Sequence, residues 1–256
     1  MLQAHSFLWN YLWVAPNILL LILAFIMWKR GLSRHFPAFL VFAVFSAIGE
    51  IAVFAADVAP FISAKNYWLI AWANLIVESL LKFVVFGEVF SRVLNPYPSI
   101  SRIGRILISG FGAILVFGSS LFAAFSRGDS TERLISGFHL LEQTVFFIAL
   151  GLVLFLFLFA GYFRLAWDRA SFGVLLGLGI SACVHLATWA VVANASPSAT
   201  GRTYINFLNM SAYHVCVLIW FGYVLVPQKV FTKSAVSLPE NNLAVWNREL
   251  ERLLQQ

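Results

Sequence analysis

Charge is what this sequence has least of. Asp, Glu, Lys and Arg make up only 11% of its 256 residues, where soluble domains carry about 25%. With 61% hydrophobic residues and a mean hydropathy of +0.86, a water-soluble domain of this length has nowhere to hide its apolar surface. Lipid is therefore the expected solvent for most of the chain, and the formal charge of +6 reads as membrane topology, with no nucleic-acid partner implied. Cysteine is also scarce. Cys183 and Cys216 both fall inside apolar runs, so no disulfide-stapled loop is expected. No basic segment precedes the first apolar run, which is expected to remain as a spanning helix instead of being removed as a signal peptide. Proline is nearly missing from the interior of the runs, Pro16 excepted, and continuous helices follow. Nucleophile elbows, phosphate loops and Cys-x-x-Cys pairs are lacking, so no reaction can be named.

What is present is a series of apolar runs, each about 20 residues or longer, the length a spanning helix needs. They cover 7–28, 36–56, 67–90, 105–125, 134–162, 172–193 and 204–226. The breaks between them carry polar residues, Gly or Pro, as in Lys29-Arg30-Gly31 and Asn95-Pro96-Tyr97-Pro98. If the N-terminus is outside, twelve of the seventeen Lys and Arg residues lie in inward loops and the tail. Only Lys65, Arg127, Arg133 and Arg202 then face outward, and the excess of basic residues in the inward loops predicts an N-out, C-in arrangement. Tryptophans gather near span ends, with Trp9, Trp13, Trp68, Trp72 and Trp189 toward outer ends and Trp28, Trp167 and Trp220 toward inner ends. The expected fold is an all-α integral membrane protein: a seven-transmembrane-helix bundle over 1–227 and a cytoplasmic tail over 228–256. In the tail, Ser237 and Glu240 form a capping box, and Leu243, Trp246, Leu250, Leu253 and Leu254 fall on one face of a short amphipathic helix. Such a helix lies on the membrane, packs on the bundle, or pairs with a cytoplasmic partner or a second copy.

Ionisable residues inside the spans are the informative ones, because each costs at least a few kcal/mol at the bilayer centre and so marks a site or a relay by default. The set comprises Glu50 in span two, Asn74, Glu78 and Lys82 in span three, and His139, Glu142 and Gln143 in span five. His185 in span six and Tyr213 and His214 in span seven complete it. Counting a rise of about 1.5 Å per residue from the outer end of each span, nearly all of them reach one layer in the outer half. Glu78 falls near mid-depth and Lys82 one turn deeper. Within span three, Asn74, Glu78 and Lys82 recur every four residues and share a face. The same spacing admits a structural role, since Glu78 and Lys82 can neutralise each other and polar side chains also hold membrane helices together. Likewise Glu88 and Arg92 are spaced for a boundary salt bridge, and Gly110, Gly112, Gly118, Gly173, Gly177 and Gly179 for close helix approach.

Four chemistries compete for the polar layer. A zinc hydrolase could draw on His139, Glu142, His185 and His214, yet His214 lacks the histidine four residues away that intramembrane hydrolases related to ceramidases carry on their last helix. The pairs Cys183/His185 and His214/Cys216 are two apart and point to nearly opposite helix faces, so neither chelates and no metal or other cofactor is expected. Microbial rhodopsins hold retinal on a lysine of the seventh helix, and span seven has none. A proton- or ion-coupled transporter suits buried Glu, His and Lys, but usually brings broken helices at mid-membrane. A sensor or receptor-like module in a plasma membrane, the inner membrane in a bacterium, is the leading expectation. It would bind a small polar ligand or a proton in an outward-facing pocket.

Overall fold

A computed structural model describes residues 6–94, 98–125, 130–162, 168–195 and 198–226, together with positions 248, 251 and 252. Its long elements are all helical: α1 Phe7–Lys29, α2 Pro37–Val58, α3 Ala64–Val93, α4 Pro98–Phe125, α5 Ser130–Tyr162, α6 Arg169–Ala195 and α7 Ala199–Leu225. By length and composition, six helices among the described residues are apolar enough to cross a membrane, and α4 is not one of the six. Large apolar side chains stand exposed on every helix, Phe25, Ile48, Val84, Phe117, Phe147 and Leu218 among them. Exposed apolar surface all around a bundle is what a lipid-facing protein presents.

Local chemistry starts and stops these helices. Hydroxyls cap three N-termini, Ser6 Oγ accepting from Trp9 N at 3.3 Å, Ser63 Oγ from Asn66 N at 3.3 Å and Ser198 Oγ from Gly201 N at 3.2 Å. Gly31, at φ 71°, adopts the left-handed conformation that ends α1 and leads into a short 3-10 turn at Leu32–Arg34. Helix α2 begins at Pro37 without a capping side chain of its own. Glu88 of α3 supplies the cap, its carboxylate accepting from Ala38 N at 3.2 Å and Phe39 N at 3.1 Å. The boundary salt bridge expected between Glu88 and Arg92 is therefore not formed. Two orphan backbone donors of a neighbouring helix hold the carboxylate, and the Arg92 guanidinium lies over the Phe36 ring, 3.9 Å from its centroid.

Neighbouring helices pack in the order α1, α2, α3, α5, α6, α7 and back to α1, which closes a ring of six. Helix α4 stands outside that ring against α3 and α5. One half of the ring is filled by a packed core in which Phe39, Phe42 and Trp220 meet edge to face, with ring centroids 5.4 Å and 6.1 Å from the indole. Trp220 is 1% exposed and donates Nε1 to Val174 O at 3.2 Å, so it is a core residue and not the boundary anchor its place in the sequence suggests. Gly177 makes room for it, since any Cβ there would collide with the indole. Gly173, Gly179 and Gly112 play the same part against Tyr223, Val153 and Phe83, whereas Gly110 and Gly118 face open space. The amphipathic face predicted for the tail lies outside the described residues. Glu251 accepts from Ser99 Oγ, 3.5 Å away, and so lies against the first turn of α4.

Candidate functional site

The half of the ring nearest the start of α1 is not filled. It encloses a cavity of about 450 Å³, within the range of roughly 300–1,000 Å³ typical of small-molecule sites. Seven of the ten residues singled out in the sequence line it: Glu50, Asn74, Glu78, Lys82, Glu142, His185 and Tyr213. They come from α2, α3, α5, α6 and α7, which places five helices around one void. Alternating helix direction accounts for this. Glu50 lies toward the C-terminal end of α2 and His185 toward that of α6, while Glu78 and Glu142 lie in the first halves of α3 and α5.

Within the cavity the charges are arranged in pairs. Lys82 Nζ lies 2.9 Å from Glu78 Oε1, both side chains being 12% exposed, and its ammonium also sits over the Phe146 ring at 4.9 Å. His185 Nε2 lies 3.3 Å from Glu142 Oε1, and its imidazole stacks on the same Phe146 with centroids 4.0 Å apart. Phe146 thus lies between an ammonium and an imidazole from different helices. Glu50 is held differently, accepting from Asn74 Nδ2 at 3.0 Å and Trp13 Nε1 at 3.4 Å. Gly49 permits this, because a Cβ there would strike Asn74 Oδ1 and push the amide off Glu50. Across the void, the Tyr213 hydroxyl donates to Asn17 Oδ1 at 3.3 Å, and Thr188 Oγ1 sits 3.0 Å from Asn209 Oδ1, so polar contacts tie α1 to α7 and α6 to α7.

Three of the singled-out residues do not line the void. His139 is half exposed beside it, with Nδ1 3.8 Å from Glu142 Oε2, and so stands at the rim as a second neighbour of that carboxylate. Gln143 is partly buried off the cavity. His214 follows Tyr213, and one residue turns a helix by about 100°. With Tyr213 facing inward, His214 is carried round to α1, where its ring lies 5.9 Å from that of Tyr11 and its buried Nδ1 has no partner. The shared depth of His214 and His185 does not bring them to one face. Among the described residues, no group of three or more His, Cys, Asp and Glu side chains has the placement to hold a metal ion.

The wall given by α1 was not evident from sequence. Trp9, Trp13 and Asn17 line the cavity, and Asn17 is only 2% exposed, its Nδ2 donating to Trp13 O at 2.7 Å. An amide ten residues into an apolar run is a signal of the same kind as Asn74, but it follows Pro16 near a span end and so resembles a helix-end residue. Ser46 was missed too, because hydroxyls are common within membrane helices. Only its spacing of four from Glu50 puts it on the cavity face. No family model matches the chain, and no curated protein or solved structure matches it significantly.

Proposed function

We propose that this protein is a membrane-embedded sensor or receptor-like module that binds a small polar ligand or a proton in the cavity, which opens toward the outside. One observation carries this: ionisable side chains from α2, α3, α5 and α6 converge on a void that a helix bundle held together by packing alone would fill. The positions of the lining residues along their helices support an outward opening. Trp9, Tyr67, Trp68 and Asn206, near the starts of their helices, line the cavity at one end in this reading, and Phe42 and Trp220, deeper along theirs, line it at the other.

Seven crossings fit the geometry better than six. Glu78 of α3 and Glu142 of α5 face the same cavity from the early parts of their helices, so the chain must return across the bundle between them. Helix α4, 28 residues long, spans about 42 Å at 1.5 Å per residue. Its contacts pair Phe83 with Gly112 and Phe90 with Gly104, which is antiparallel packing along α3. With the basic residues counted above, this supports an N-out, C-in topology.

A proton- or ion-coupled transporter is the second reading; it usually brings broken helices at mid-membrane, and the helices around this cavity are continuous. Tryptophan emission tests the sensing role, since Trp13 and Trp68 line the cavity. In the parent, emission is expected to change between about pH 5 and pH 8, the interval over which histidine changes charge. His185→Ala should remove that change. A pH response of equal size in His185→Ala would take the imidazole out of the mechanism.

A further inference from the structure

The carboxylates lining the cavity outnumber its cations. Glu50, Glu78 and Glu142 face one lysine and one imidazole. Two of the three are matched: Glu78 with Lys82 at 2.9 Å and Glu142 with His185 at 3.3 Å. Glu50 receives only the neutral donors of Trp13 and Asn74, and no basic side chain among the described residues forms an ion pair with it. One turn along the same face of α2, Ser46 is 0% exposed and lines the cavity, its Oγ close to the Tyr213 hydroxyl. A carboxylate without a cation and a buried hydroxyl therefore stand side by side on one wall.

The chemistry they accept is narrow. An anion would meet the excess of carboxylates. A neutral ligand offers Glu50 no counter-charge, and a carboxylate ionised without one in a low-dielectric site is the costly arrangement. A group that is both positively charged and a hydrogen-bond donor satisfies Glu50 and Ser46 together. Aromatic rings beside them, Trp13 and Tyr213 among the lining residues, offer faces that attract a cation and accept an apolar body. We propose that the ligand class of this cavity is a small protonated amine, with its ammonium on Glu50 above Ser46 and its carbon body against the aromatic wall. The assignment rests on the ligand-binding role proposed above and narrows it to one charge type.

Calorimetry on the full chain in lipid nanodiscs, with empty discs as the blank, tests it. The probes are ethyl-, n-butyl- and 2-phenylethylammonium chloride, each compared with the alcohol of the same carbon skeleton. At least one ammonium is expected to bind saturably and about tenfold or more tightly than its alcohol, and Glu50→Gln should bring that ratio close to one. An alcohol binding as tightly as its ammonium would overturn the charge assignment and leave a ligand pocket standing. Unaltered discrimination in Glu50→Gln would overturn the role of Glu50. If none of the ammonium probes binds saturably, the amine assignment fails, and the tryptophan titration of His185→Ala then decides separately whether the cavity senses protons.

Discussion

Lys82→Met alone is expected to cost more thermal stability in detergent than Lys82→Met combined with Glu78→Gln. The two groups lie 2.9 Å apart with side chains 12% exposed, so removing the ammonium strands the Glu78 carboxylate on the wall of a mostly buried cavity. Breaking one side of a buried pair typically costs about 3–5 kcal/mol, whereas replacing both members with groups of similar shape is often close to neutral. The single substitution also removes the cation resting on Phe146, at 4.9 Å, which adds to its loss but is common to both variants. A thermal-shift series over the parent, both single variants and the double variant closes a cycle, and the coupling should have the sign that makes the double variant the milder one. Equal losses in Lys82→Met and the double variant would reduce the pair to two independent packing residues.

Gly177→Leu should be strongly disruptive, where Gly222→Leu is not. A Cβ at 177 collides with the indole of Trp220, which is 1% exposed, fixed by its bond to Val174 O and wedged against Phe39 and Phe42. With the indole held on these sides, a side chain at 177 pushes α6 and α7 apart, and overpacking of this kind costs about 1–3 kcal/mol or more. Lipid tails give little hydrophobic penalty for parting two helices, so packing contacts are a large share of what holds them. Gly222→Leu on α7 is the control, since nothing lies within 4 Å of a Cβ there. Denaturation in detergent should find Gly177→Leu clearly destabilised and Gly222→Leu near the parent. Comparable losses in both would mean that helix backbone effects, not the α6–α7 seam, set the outcome.

Much of the site was legible in the sequence for a simple reason. Charged residues are so costly in lipid that Glu50, Glu78, Lys82, Glu142 and His185 stand out against apolar runs, and regular helix rise converts position into depth. Depth carries no information about azimuth, and this is where the sequence reading stopped. His214 has the right depth and the wrong face, because Tyr213 takes the inward direction. Helix order was equally hidden: nothing in the runs tells that α4 stands outside the ring while α3 packs directly on α5. The cap that Glu88 gives to α2 bridges about fifty residues and competes with the local option of Arg92, so spacing alone selected the wrong partner. Tryptophan near a span end suggests a membrane boundary, yet Trp13 and Trp220 both line the cavity.

Access to the cavity is the most direct test of this account. In a background of Cys183→Ser and Cys216→Ala, a single cysteine at Asn206, on the cavity wall in the second turn of α7, can be probed with a membrane-impermeant maleimide in intact cells and in inverted vesicles. Modification is expected in intact cells and not in inverted vesicles, as required of a pocket open on the N-terminal face and closed by Phe42 and Trp220. Modification from the opposite side, or from neither side, would contradict an outward-open polar cavity.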